Sequence, residues 1–376
     1  MNINDAKRII FKFGTNVLRN DDKEISLSRI YTFIEEISKL HRQGKEIIIV
    51  TSGAVGLGSK TLNVNSSESL SVKQACAAVG QCQLMSIYED GFHKYSINTA
   101  QILLTEDDFS NRLRYLSLSN VLNTLLDLKV IPVVNQNDTV SIAELEESGP
   151  VYGVSFSDND KLSALLASKL DADLLVILSD VDGLYDDNPK ENPNAKHISE
   201  VYEITKEIEN LGREASSGGR GGMRSKIQAV KVVTHSGGCA LIVNGKTPNI
   251  ISKIFNGEQY GTMFYPVEQL SQKRRWIAYA TNITGQIIVN EGAKKAITEK
   301  NKSLLAIGVL KVNGIFDRGD VVSILDENNV EFARGIANYC AGDCCKVVGE
   351  HSDNIFQILG HKNYDAIITK DNIAIL

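Results

Sequence analysis

From residue 8 to residue 270, short apolar, β-branched runs take turns with helical patterns, and this alternation limits the fold more than any other feature of the chain. Parallel strands need long crossovers, and a sheet built that way needs cover on both faces, so the order predicts an α/β domain: an open, mostly parallel sheet sandwiched by helices. The strand candidates are residues 8–13, 46–51, 98–104, 130–134, 174–178 and 239–243, with helical patterns over 28–42, 116–128 and 161–169. Gly44 fits a helix stop after Arg42-Gln43, and Asp158 or Asn159 suits the cap of a helix that begins near Lys161. In an open sheet of this kind ligands bind at the carboxyl ends of the strands.

At Ser271-Gln272-Lys273-Arg274-Arg275-Trp276 the character changes to short strands, frequent glycine turns and a brief helix over 293–299. A chain of 376 residues is long enough for two domains. The division expected is 1–270 for the α/β domain and 271–376 for a small, mainly β domain that includes a short junction, with Trp276 packed at a domain edge. Neither an internal repeat nor a low-complexity tract interrupts it.

A formal charge of -6 argues against a general nucleic-acid or membrane-surface binder and favours small-molecule chemistry. Residues 277–376 carry 10 Lys/Arg against 12 Asp/Glu, so RNA binding through the second domain, the rival from another class, lacks a basic footprint. No run of eighteen apolar residues occurs, and a cytoplasmic protein is expected. The six cysteines form no Cys-x-x-Cys pair, and Cys340, Cys344 and Cys345 find no histidine at a metal-site spacing, so reduced thiols are the reading.

Six polar clusters stand at strand ends or helix starts. Ser216-Ser217-Gly218-Gly219-Arg220-Gly221-Gly222-Met223-Arg224-Ser225-Lys226 runs into the helical pattern 227–233, where backbone N–H groups, the helix N-terminus and Lys226 suit a phosphate. Its spacing matches neither the P-loop nor the Rossmann fingerprint. Lys12-Phe13-Gly14 ends the first strand with a cation before a tight turn. Thr51-Ser52-Gly53-Ala54-Val55-Gly56-Leu57-Gly58 offers the Ser52 hydroxyl and glycines that let backbone amides approach a ligand.

Asn135-Gln136-Asn137-Asp138 and Ser157-Asp158-Asn159-Asp160 bring amides and carboxylates that recognise an amino group and orient cations, although helix capping accounts equally well for Asp158 or Asn159. In Ser179-Asp180-Val181-Asp182-Gly183, Asp180 or Asp182 suits a nucleotide or its magnesium, and Asp182 is also a natural turn residue before glycine. None of the six histidines falls in these clusters. Phosphorylating a carboxylate needs no general base, since a group with a pKa of about 4.3 is already ionised at neutral pH. It needs positioning and positive charge.

In this order the clusters resemble the amino acid kinase family. Gly292-Ala293, Ser303-Leu304-Leu305, Gly314-Ile315-Phe316, Arg318-Gly319-Asp320 and Arg334-Gly335 with Asn338-Tyr339 look like a PUA domain. That combination points to the branch acting on L-glutamate rather than on acetylglutamate, aspartate, carbamate or UMP. The resemblance implies ATP-dependent phosphorylation of the glutamate side-chain carboxylate to L-glutamyl 5-phosphate, the first step of proline synthesis, with Mg2+ accompanying ATP.

Carried over by position, it implies that Lys12 and Lys226 stabilise the transferred phosphoryl group while Asp160 holds both lysines. Ser52, Asp138 and Asn159 would bind glutamate. Lys12, Ser179, Asp180 and the loop of Arg220, Gly221, Gly222, Met223, Arg224, Ser225 and Lys226 would bind ATP. It further implies feedback inhibition by proline, a homo-oligomer, a possible glutamyl-phosphate reductase partner, and no role for RNA or a membrane. The chain departs from the family pattern at Gln136, where glutamate is usual, at Lys161, at Arg220 and Arg224 in the nucleotide loop, and in a longer stretch over 144–156. These departures bear on nucleotide affinity and regulation rather than on reaction class.

Overall fold

The computed structural model describes residues 3–22, 24–140, 159–189, 191–214, 222–267, 271–280 and 282–376. Two compact units emerge, the second made of Leu270–Leu376 together with Phe109–Asn111.

In the first unit β1 (Arg8–Phe13), α1 (Leu27–Arg42), β2 (Glu46–Val50), α2 (Ala54–Leu62) and α3 (Leu70–His93) come first. They are followed by β3 (Thr99–Leu104), the single turn α4 (Asp107–Ser110), whose last two residues belong to the second unit, α5 (Arg112–Asp127), β4 (Ile131–Gln136), α6 (Asn159–Lys169) and β5 (Leu174–Ser179). The remainder is β6 (Leu184–Tyr185), β7 (His197–Ile198), β8 (Glu200–Val201), α7 (Lys206–Glu214), α8 (Met223–Thr234), β9 (Cys239–Asn244), α9 (Ile250–Phe255) and β10 (Thr262–Phe264).

Eight strands form one sheet in the order β3-β4-β2-β1-β5-β9-β10-β8, parallel except where β10 meets β9, and β6 pairs with β7 apart from it. The central strands are buried along nearly their whole length, as expected of parallel strands covered on both faces. Phe11, Phe13, Ile34, Ile37, Val176, Leu178, Leu241 and Ile254 belong to the core beneath them. β1 lies between β2 and β5, and the register pairs Lys12 with both Val50 and Ile177. Val50 in turn pairs with Val134, and Ser179 with Asn244. The strands therefore end side by side, and the residues just past them line one edge of the sheet.

Most expected strands and helices are present with ends shifted by a few residues, and three shifts carry meaning. β4 extends through Asn135 and Gln136, so part of the polar cluster is itself strand. α8 begins at Met223, which places Met223, Arg224, Ser225 and Lys226 in its first turn rather than in the loop before it. α2 occupies Ala54–Leu62, so of the glycines expected to cradle a ligand only Gly53 lies in the turn, where its φ of 110° suits glycine.

Gly58 has a different purpose. A Cβ there would lie 1.8 Å from the Cys76 carbonyl oxygen, and one on Gly80 would lie 1.8 Å from the Ala54 carbonyl oxygen and 2.5 Å from the Gly58 nitrogen. α2 and α3 thus meet backbone to backbone. The 24-residue α3 was not foreseen, because its apolar positions do not gather on one stripe.

In the second unit α10 (Gln272–Arg275) and a π-helical turn (Trp276–Ala280) lead to β11 (Gly285–Val289), α11 (Glu291–Thr298), β12 (Val309–Gly314), β13 (Val321–Leu325) and β14 (Glu331–Ile336). Two short helices, α12 (Ala341–Lys346) and α13 (Ile355–Leu359), precede β15 (Ile373–Ile375). The sheet order is β12-β11-β13-β14-β15, antiparallel except for β11 with β13. Trp276 is buried, its indole N–H donating to the Phe109 carbonyl at 3.2 Å.

The α2/α3 contact separates two effects on stability. Helix propensity alone would make Gly80→Ala stabilising by up to about 1 kcal/mol, whereas overpacking against backbone that has no rotamer to yield costs about 1–3 kcal/mol. We expect the overlap to win, so that Gly80→Ala lowers the melting temperature of the full chain; an unchanged or raised value would show that the helices separate at no cost.

Candidate active site

Lys12 follows the apolar run Ile9-Ile10-Phe11 in β1 and is only 3% exposed, Asp160 in the first turn of α6 is fully buried, and Lys226 in the first turn of α8 is 6% exposed. Burying charge is costly unless it is paired, and here it is paired through one carboxylate. Lys12 Nζ lies 2.5 Å from Asp160 Oδ1, and Lys226 Nζ lies 3.3 Å from Asp160 Oδ2. The Ser225 hydroxyl reaches the same Oδ2 at 3.0 Å and also the Gly222 carbonyl at 2.9 Å. Two ammonium groups against one carboxylate leave this trio with net positive charge at a strand end, which favours an anion there. The three residues expected to form the phosphoryl-transfer machinery are in direct contact.

A second group adjoins it from α6. Asn159 Nδ2 donates toward the Thr51 carbonyl at 2.7 Å, Ser52 Oγ at 2.8 Å and Asn135 Oδ1 at 3.1 Å. Asn159 is therefore inside the helix and turned to the strand ends, which corrects the expectation that it caps α6. Asp158, the other cap candidate, lies outside the described residues, as do Arg220, Gly221 and the stretch 144–156. Asp138 sits in the turn two residues beyond β4, half-buried.

At the end of β5, Ser179 is buried, and its hydroxyl lies 3.3 Å from Asp180 Oδ1. Asn16, just past β1, donates to Asp180 Oδ2 at 2.9 Å. Burial pushes the Asp180 carboxyl upward, but hydrogen bonds from Asn16, its own backbone and Ser179, with the attraction of Lys226, outweigh it and hold the group below the ordinary carboxylate value. Asp182 instead accepts from Asn244 Nδ2 at 2.9 Å, linking the turn to β9. Gly222 caps α8, Met223 is half-buried and Arg224 is exposed.

Several participants carried no short-range signal of their role. Asn16 lies just past the Lys12-Phe13-Gly14 turn and Asn135 opens the Asn135–Asp138 cluster, and neither motif marks the contact its amide makes. Gln81 and Tyr88 sit far away in sequence on α3, yet Gln81 Oε1 accepts from Asn135 Nδ2 at 2.9 Å and the Tyr88 hydroxyl lies 2.9 Å from Thr51 Oγ1. Burial pushes the Tyr88 phenol well above its usual range, with the Thr51 bond opposing.

Among the described residues no group of three or more His, Cys, Asp or Glu could hold a metal by itself. A magnesium ion accompanying a nucleotide needs only one or two carboxylates besides phosphate oxygens. The ionised, exposed Asp180 meets that requirement.

The fold and the buried cation pair fit phosphoryl-transfer chemistry, and in sequence the model of the amino acid kinase family matches residues 7–244, while that of the PUA domain matches residues 285–359. The chain belongs to the amino acid kinase family. Its curated relatives include the glutamate 5-kinase of Thermoanaerobacter sp. strain X514, 41% identical over 372 residues that cover 98% of each chain. That of Methanococcoides burtonii is 43% identical over 376 residues, covering 99% of this chain and 98% of the relative. That of Methanosarcina barkeri is 43% identical over 384 residues, covering 100% and 98%.

The bridge predicts unequal costs. Asp160→Asn leaves two buried ammonium groups facing a neutral amide and should destabilise by about 3–5 kcal/mol. Ser225→Ala removes a hydroxyl whose bond is shared with a carbonyl and should cost about 1 kcal/mol. Urea unfolding of both variants checks the order; equal effects would remove Asp160 as the electrostatic centre.

Proposed function

We propose that the protein phosphorylates the side-chain carboxylate of L-glutamate with ATP, releasing ADP and L-glutamyl 5-phosphate. The observation that carries this reading is the buried bridge Lys12–Asp160–Lys226 beside a cluster of amides and hydroxyls at the same sheet edge. The near full-length likeness to glutamate 5-kinases supports the choice of acceptor.

In this reading the γ-phosphoryl group of ATP lies against Lys12 and Lys226, whose ammonium groups stabilise charge on its oxygens during transfer. A glutamate carboxylate oxygen forms the new bond to phosphorus as the bond from phosphorus to the bridging oxygen of ADP breaks; the proton inventory is unchanged, so no imidazole is required. Asp160 pairs with both lysines and aims them. Ser52, Asn159 and Asp138 hold glutamate. Ser179, Asp180 and the start of α8, with Arg220, Gly221 and Gly222 before it and Met223, Arg224 and Ser225 within it, hold the nucleotide. Asp180 would hold the magnesium that accompanies ATP, and that ion neutralises phosphate charge when bound. Inhibition by proline, assembly into a homo-oligomer, transfer of the product to a glutamyl-phosphate reductase and residence in the cytoplasm belong to the same proposal.

Coupled ADP release measured with glutamate, aspartate, N-acetylglutamate and UMP tests the acceptor, and turnover of another of these without glutamate would overturn it. Lys226→Ala leaves Asp160 paired with Lys12, so the variant should fold while kcat falls about 10²–10³-fold. Near-normal kcat would remove the role given to Lys226.

A further inference from the structure

α3 sends two side chains seven residues apart, hence from one face of the helix, to the polar end of the sheet: Gln81 and Tyr88. From Gln81 a continuous line of amides runs to Ser52. Gln81 Oε1 accepts from Asn135 Nδ2 at 2.9 Å, Asn135 Oδ1 accepts from Asn159 Nδ2 at 3.1 Å, and Asn159 Nδ2 also faces Ser52 Oγ at 2.8 Å.

Two backbone groups dictate which way each amide points. The Thr51 carbonyl only accepts, so Asn159 must show it Nδ2, at 2.7 Å. The Gln136 N–H only donates, so Asn135 must show it Oδ1, at 2.9 Å. Asn135 Nδ2 is then turned to α3, and only an acceptor at position 81 completes the line.

This arrangement leaves Asn159 Oδ1 as a buried acceptor with no hydrogen-bond partner among the described residues. An unsatisfied buried acceptor is costly, and of the charged groups of free glutamate only the α-ammonium donates hydrogen bonds. We propose that Gln81 is a positioning residue: through Asn135 it locks the Asn159 amide so that Oδ1 stands ready for the ammonium of the substrate. The inference rests on the glutamate reading above. Gln81 itself is about nine-tenths buried, on the helix held against α2 by Gly58 and Gly80, so its own position has little freedom.

The wild-type chain is assayed first, and absence of glutamate-dependent ADP release would remove the glutamate reading itself. With that activity present, Gln81→Met, close in volume but unable to accept, should raise KM for glutamate about tenfold while KM for ATP and kcat stay within about twofold. Because both changes break one line, adding Gln81→Met to Asn159→Ala should cost less than the product of the separate losses in kcat/KM. An unchanged KM for glutamate, an equal rise in KM for ATP, or losses that multiply independently would overturn the proposal. Gln81→Glu keeps an oxygen opposite Asn135 Nδ2 and should hold KM for glutamate below that of the Met variant; equal values would overturn the role of the acceptor. Should Gln81→Met not fold, Gln81→Glu is compared with wild type, where a KM for glutamate within about threefold supports the proposal and a rise beyond about tenfold overturns it.

Discussion

One carboxylate holding two buried ammonium groups is the constraint around which the first unit is organised. Asp160 comes from α6, Lys12 from β1 and Lys226 from α8, so the ion bridge ties the middle of the sheet to two helices. Neither lysine could be buried at a strand end without the carboxylate, and the carboxylate could not be buried without at least one lysine. The excess positive charge is not a defect of this arrangement. It leaves an electrostatic demand that an anionic phosphoryl group satisfies, in surroundings where water does little to weaken the attraction.

The two sides of the site, proposed for the nucleotide and for the acceptor, are built from different materials. On one side, Asp180 and the helix start at Gly222 offer charge and backbone donors. On the other, Ser52, Asn135, Asn159 and Gln81 form an uncharged network in which each amide is oriented by its neighbour. A carboxylate suits the magnesium that would accompany a triphosphate, and backbone donors suit its phosphate oxygens. Oriented amides suit a small amino acid, for which the direction of each donor and acceptor decides what fits.

Much of the sheet was legible because its strands are buried on both faces and read as unbroken apolar runs, so Lys12 stood out at the end of one. The residues brought together at the strand ends were also visible as clusters, since each cluster is short and local. The contacts between clusters were not. Nothing near Gln81 in sequence announces Asn135, 54 positions away, because only the tertiary meeting of α3 with the end of β4 brings them together. Gly58 misled for a related reason: glycine spacing looks the same whether it serves a ligand or a neighbouring helix. Asn159 had two plausible tasks, capping and reaching across the sheet edge, and only tertiary contacts separated them.

The glycine contact between α2 and α3 also limits how the acceptor side could change. Thr51 and Ser52 lead directly into α2, while Gln81 and Tyr88, which hydrogen-bond Asn135 and Thr51, stand on α3, so both sets of residues are referenced to one fixed spacing. In the proposed reading, a bulkier acceptor would not be admitted by trimming a side chain at the glycine contacts, because there backbone meets backbone. Room for a different substrate must come from the strand-end residues themselves, and in that sense the helix pair acts as a gauge for substrate size.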